Sequence, residues 1–233
     1  MKTAIHQPEF FPWVGFFNKM AKADKFVLLD NVQYEISNFQ NRNRIVGTET
    51  PQFLIMPIER KGFLEKTFKD IKIQDNSKYV WKRKFLATIR YHYSKHPYFN
   101  RYYPFIEGLV QSDINSLYDF NIQVIFTWAS ELGIHPEFIR ASDLMVCGKK
   151  SALLVDICKK IHTDVYISGM GAKEYIDMDL FAKNDIDVIY NQYVPREYPQ
   201  IGRKEFIPYL STLDLLMNVG PEKARELILD EDA

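Results

Sequence analysis

The sequence predicts an α/β fold: a parallel, Rossmann-like sheet flanked by helices, with a helical insertion in the middle of the chain. Three observations lead there. Thr3-Ala4-Ile5, the amphipathic segment Val14–Ala23 and Phe26–Leu29 read as strand, helix and strand, and parallel neighbours need such a crossover. Strands and helices alternate again from Phe138 to Tyr190, the order that builds a parallel sheet. Between the two halves, apolar residues recur at helical spacing.

Each element has its own signal. The first strand runs into His6-Gln7-Pro8, and a Pro12-Trp13 turn precedes the first helix. The second strand ends in Asp30, followed by Gln33 and the polar run Asn41-Arg42-Asn43-Arg44. Pro51 to Ile58 reads as a strand bounded by prolines, and Ile71-Lys72-Ile73 as a short alternating one. From Lys78, Trp81, Phe85, Ile89 and His92 mark a helix, Tyr98 to Leu109 a second, and Asn115 to Leu132 a third ended by Gly133. Phe138–Ala141, Asp164–Ile167 and Asp187–Tyr190 read as strands, Lys149–His162 as a helix, and Tyr175–Asn184 as helical in part. The tail from Thr212 to Leu229 reads as two helices divided at Gly220-Pro221. The expected organisation is an N-terminal α/β half (1–77), an aromatic-rich helical insertion (78–133) and a C-terminal α/β half with a helical tail (134–233), forming one compact domain or two closely packed ones.

Composition narrows the functional classes. The 233 residues carry 30 Lys and Arg against 30 Asp and Glu, without the basic excess of a nucleic-acid binder. Two cysteines, Cys147 and Cys158, are too few for a disulfide framework and suit a reducing compartment. The start of the chain lacks a signal-peptide pattern, and no apolar run has the length of a membrane span. A cytoplasmic protein is expected. The five histidines are scattered; His92 and His96 stand at i, i+4 without the acid between them that a hydrolytic zinc helix carries. No metal site is predicted.

In open parallel sheets ligands bind beyond the carboxyl ends of the strands, and both N-terminal strands end in reactive groups. His6 can act as a general base, bind an anion, or simply bond a neighbouring loop. Asp30 needs solvent or a partner there. Arg42 and Arg44, on one side of an extended segment, suit bidentate binding of phosphate or carboxylate; a solvated turn or a pair with Asp30 stays open. Ser168-Gly169-Met170-Gly171 follows a strand, where glycines let a ligand approach the backbone, with Tyr175 and Asp177 just downstream. It lacks the dinucleotide spacing, and Gly148-Lys149-Lys150-Ser151 lacks the upstream glycine of a phosphate loop.

Taken together, Ile5-His6-Gln7-Pro8, Pro12-Trp13-x-Gly15, Ala23-Asp24, Asp30-x-Val32-Gln33 and Asn41-Arg42-Asn43-Arg44 resemble the WbqC-like family. So do Tyr166-Ile167-Ser168-Gly169-x-Gly171, Tyr198-Pro199-Gln200 and Leu213-Asp214-Leu215-Leu216-Met217-Asn218-x-Gly220. The sequence departs from that pattern at Met217, where an aromatic is frequent, and at Arg196-Glu197, where a His-Pro pair is common. The resemblance implies bacterial O-antigen or other surface-polysaccharide biosynthesis. It implies acyl or aminoacyl transfer to the amino group of a nucleotide-linked amino sugar. His6 and Asp30 would then be catalytic, and Gln7, Trp13, Gln33, Asn41, Arg42, Arg44, Ser168, Gly169, Gly171, Tyr175 and Gln200 would bind substrate. No cofactor is fixed. The donor would be a coenzyme A or carrier-protein thioester, which would make an acyl carrier protein a partner, or ATP. An ATP-dependent nucleotidyl transferase and a non-catalytic binding protein of the pathway are the alternatives, and the oligomeric state stays open.

Overall fold

A computed structural model describes residues 1–36, 38–75 and 80–229. Its centre is a five-stranded sheet, parallel throughout. β1 (Lys2–His6) lies between β2 (Lys25–Leu28) and β6 (Val165–Gly169); β5 (Glu137–Arg140) lies beyond β2, and β7 (Asp187–Asn191) beyond β6. The expected α/β sheet is therefore present, and both halves of the chain build it. The expected bound between residues 77 and 78, and Lys78 itself, lie outside the described residues.

Alternation along each strand decides which face a side chain covers. Ala4, Phe26, Leu28 and Ile167 join a large core with α1 (Val14–Ala21), α4 (Leu117–Glu131) and α7 (Thr212–Leu229). Ile5, Val27 and Tyr166 face the other way, onto α5 (Ser151–Lys160) and α6 (Met178–Ala182). The aromatic stretch forms α2 (Trp81–Tyr93), α3 (Phe99–Gln111) and α4, and its rings belong to the larger core. Trp128 is fully buried and packs edge-on to Tyr102 at 5.4 Å. Most of the aromatic density here fills the core, while Tyr91 and Phe126 stay exposed. Among the described residues no helix is long and apolar enough to cross a membrane.

Two expected strands lie elsewhere. Arg42–Ile45 (β3) and Gln52–Ile55 (β4) form a separate antiparallel hairpin. Ile71-Lys72-Ile73 makes only isolated bridges, Ile73 to Ile58 and Lys72 to Ser116. Three residues pinned on two sides have no length left for a ladder.

The tail kinks at Gly220, whose φ of 75° and ψ of −179° belong to a region open essentially to glycine alone. A methyl group there would also sit 2.3 Å from the ring of Tyr98. Gly220→Ala is expected to lower the stability by about 2–4 kcal/mol, from backbone strain plus overpacking. The midpoint of urea unfolding measures it, and an unshifted midpoint would contradict the account.

Candidate functional site

The strand order creates an opening. From β1 the chain moves outward to β2 and β5, then returns to β6 on the other flank of β1. The loops leaving β1 and β6 therefore diverge toward opposite faces of the sheet, and such a point is where α/β sheets bind ligands. A cleft of about 630 Å³ lies there, lined from the β1 side by His6, Gln7 and Glu9 and from α1 by Lys19. The β6 side supplies Ser168, Gly169, Gly171 and Tyr175, and Lys150 and Glu35 stand at its margins.

His6 holds the centre. Its Nδ1 lies 2.8 Å from the carbonyl oxygen of Gln7. A carbonyl only accepts, so Nδ1 carries the proton and Nε2 keeps its lone pair. Nε2 sits 3.7 Å from Glu9 Oε1, and the ring packs edge-on to Phe16 at 5.0 Å. Burial, seconded by the charge of Lys19, pushes the imidazole down to about 3 despite the Gln7 bond. His6 is a neutral imidazole at physiological pH.

Its neighbours are charged groups with unspent bonding capacity. Burial raises Glu9 to about 7, against the opposing pull of Lys19 and a backbone hydrogen bond at Trp13. Burial lowers Lys19 to about 7, with Glu9 opposing. Lys19 Nζ donates to the Ile5 carbonyl at 3.4 Å, while Glu9 Oε2 is buried without a hydrogen-bond partner among the described residues. A polar atom left so is costly unless a ligand or water completes it. The arrangement sets a neutral imidazole beside an amine and a carboxyl group that both titrate near neutrality.

The sequence-predicted residues divide. His6, Gln7, Ser168, Gly169, Gly171 and Tyr175 come together in the cleft. Gln7 is steadied by Gln40, whose Nε2 donates to Gln7 Oε1, and Tyr175 stands at the rim, largely exposed. The others lie outside it. Asp30 is buried and caps the turn after β5, its oxygens accepting from the N–H (2.9 Å) and hydroxyl (2.7 Å) of Ser142. Trp13 precedes α1 and packs on Tyr193 and Tyr209 at 6.0 and 5.7 Å. A Cβ at Gly15 would fall 2.2 Å from its indole, which explains that glycine. Gln33 Nε2 donates to the Leu64 carbonyl at 2.6 Å, and Asn41 Nδ2 to that of Met56 at 2.9 Å. Arg42 and Arg44 share the outer face of the hairpin, with Arg42 over the Phe53 ring at 4.8 Å.

Gln200 belongs to a second buried polar cluster around Asp214. Tyr93 donates to Asp214 Oδ1 at 3.0 Å, and Tyr198 to Oδ2 at 2.8 Å. Gln200 and Asn218 each donate to Oδ2 at 3.3 Å. Burial raises this carboxyl to about 6, with the bonds from Tyr198, Tyr93 and Gln200 and the charge of Arg203 pulling back. The cluster ties α2, the 198–200 segment and α7 together, and Tyr198 and Gln200 also line a separate surface cavity of about 360 Å³ with Arg203 and Lys204.

Glu9, Lys19 and Glu35 escaped the sequence reading, and Lys150 entered it only within the rejected phosphate-loop pattern. Lys19 did leave a signal: it is the one charge in Val14–Ala21, among residues otherwise spaced for burial. Glu9 likewise stands alone between Pro8 and Phe17 as a charged side chain.

A protein of Mycobacterium tuberculosis (strain ATCC 25618 / H37Rv) named "Uncharacterized protein Rv1507c" is 28% identical over 223 residues, covering 95% of each chain. No solved structure matches significantly. The model of the WbqC-like protein family matches residues 7–226, from the cleft's Gln7 almost to the end of α7. The chain belongs to that family.

Proposed function

We propose that the cleft transfers an acyl or aminoacyl group to the amino group of a nucleotide-linked amino sugar, in the biosynthesis of bacterial surface glycans such as O-antigen. The observation that supports it best is His6: a neutral imidazole lining the cleft, with an unprotonated Nε2 beside Glu9. Transfer from a thioester needs a group that removes a proton as the amine adds. The amine attacks the thioester carbonyl, and His6 Nε2 takes the proton from the nitrogen of the tetrahedral adduct. The C–S bond then breaks, the imidazolium returns its proton to the leaving sulfur, and the thiol departs with His6 neutral again. Glu9 beside Nε2 favours the imidazolium so formed, and Lys19 offers a positive charge to the developing oxyanion. Lys150 and the Gly169–Gly171 turn line the margin where phosphates of the nucleotide would rest.

A thermal-shift series tests the ligand class. A nucleotide-linked amino sugar at a hundred times its Kd is expected to stabilise the fold by about 2.7 kcal/mol. That response is expected to disappear in Lys150→Ala and persist in Arg42→Ala. The reverse pattern would move the phosphates to the hairpin. A response to ATP with magnesium alone, with none to the sugar nucleotide or to coenzyme A thioesters, would replace acyl transfer with nucleotidyl transfer.

A further inference from the structure

β4 has one edge in use and one free. The Met56 N–H donates to the Asn41 carbonyl at 2.7 Å, and in the same register Asn43 faces Leu54 and Ile45 faces Gln52. Hydrogen-bonded and non-bonded pairs alternate in an antiparallel ladder. The N–H and C=O groups of Phe53 and Ile55 therefore point away from β3. The far edge of β3 behaves in the same way, and there the outward carbonyl of Arg44 accepts the Ser211 N–H at 2.8 Å. No described residue makes the equivalent bond to Phe53 or Ile55.

This edge borders a groove of about 560 Å³. Its opposite wall is one stripe of α2: Trp81, Lys84, Phe85 and Thr88. Phe53 and Ile55 are 46% and 51% exposed. Soluble proteins usually blunt such edges with charge, proline or a cover. Here Pro51 and Pro57 limit the strand's length, but its outward side chains are apolar. Among the described residues, the charged side chains lining the groove are Arg60 and Lys84, with no carboxylate, and the Arg42 guanidinium covers one face of Phe53.

We infer that this groove binds an extended, acidic segment of a partner protein, which adds to β4 as a third strand. Strand addition engages the outward backbone groups of Phe53 and Ile55, and alternate side chains of the guest pack on their rings and branches. The cations select the charge. A docked helix would leave the outward backbone groups unpaired. A second copy pairing through β4 would bring two sets of Arg42, Arg60 and Lys84 together. The site is separate from the cleft and does not depend on the chemistry proposed there.

The probes are two fluorescein-labelled heptapeptides, one alternating valine with glutamate and one alternating valine with lysine. Anisotropy is expected to show the glutamate peptide binding at least tenfold tighter. Arg60→Glu with Lys84→Glu is expected to reverse that preference, with circular dichroism unchanged. In amide exchange, the Phe53 and Ile55 N–H groups are expected to exchange freely in the protein alone and at least tenfold more slowly with the peptide. Methylating alternate peptide nitrogens of the probe should abolish both effects. Equal affinity for the two peptides would overturn the inference. So would protection of those amides in the peptide-free protein, protection that grows with protein concentration alone, or protection produced by a nucleoside diphosphate instead.

Discussion

His6→Ala is expected to lower transfer by about 10²- to 10⁴-fold, the usual range for a general base, while the thermal midpoint stays within a few degrees of wild type. His6→Asn sharpens the test. Its amide can still donate to the Gln7 carbonyl, which keeps the turn after β1, but it offers no basic nitrogen at the position of Nε2. Both variants should lose kcat while binding the nucleotide sugar as tightly as wild type. Full turnover in His6→Asn would remove His6 from the chemistry. Tight binding lost together with turnover would make it an anchor for substrate instead. The pH dependence of stability carries a further sign. Folding holds the imidazole below its ordinary value of 6.5. Its neutral form thus favours the folded state above about pH 6.5, and that contribution is lost as pH falls toward 3.

Asp214→Ala is expected to cost about 3–5 kcal/mol of stability, as removing the acceptor at the centre of a buried network does. Two tyrosine hydroxyls and two amide groups would face a void where the carboxylate stood. Urea unfolding monitored by tryptophan fluorescence measures it, and a loss under about 1 kcal/mol would mean that the network rearranges at little cost. Asp214→Asn isolates the charge. The folded-state value is raised to about 6 from an ordinary 3.8. Protonated Asp214 therefore favours folding, a contribution fully present below about pH 4 and lost as pH rises through 6. The stability of wild type relative to Asp214→Asn should fall across that window. A constant difference would place the carboxyl near its ordinary value.

Much of the architecture was legible in the residues because its signals are local. Strand, helix and strand between Lys2 and Leu28, the alternation from Glu137 to Asn191, and the break at Gly220-Pro221 each depend on a few neighbouring positions. The cleft was half legible for the same reason: His6 and Ser168-Gly169 stand at strand ends, and strand ends in a parallel sheet gather at one side. Asp30 also stands at a strand end, yet its carboxylate is spent on Ser142, a partner far along the chain that no local pattern reveals. Arg42 and Arg44 do share a face, as an extended segment requires, but the hairpin carrying that face is not part of the main sheet. Lys19 and Glu9 gain their character from burial, which appears only once α1 lies on the sheet.

The position of β1 also sets the timing of assembly. β1 precedes both of its neighbours in the chain and sits in the middle of the sheet, with Thr3 opposite Lys25 on one side and Tyr166 on the other. During synthesis β2 arrives within a second or two, but β6 follows only on the order of ten seconds later at ordinary elongation speeds. Until then one flank of β1 lacks its neighbour, and His6 faces a half-built cleft. The nascent chain thus carries an unpaired edge of β1 until Val165–Gly169 emerge, and the cleft can close around a ligand only after the turn that follows them is made.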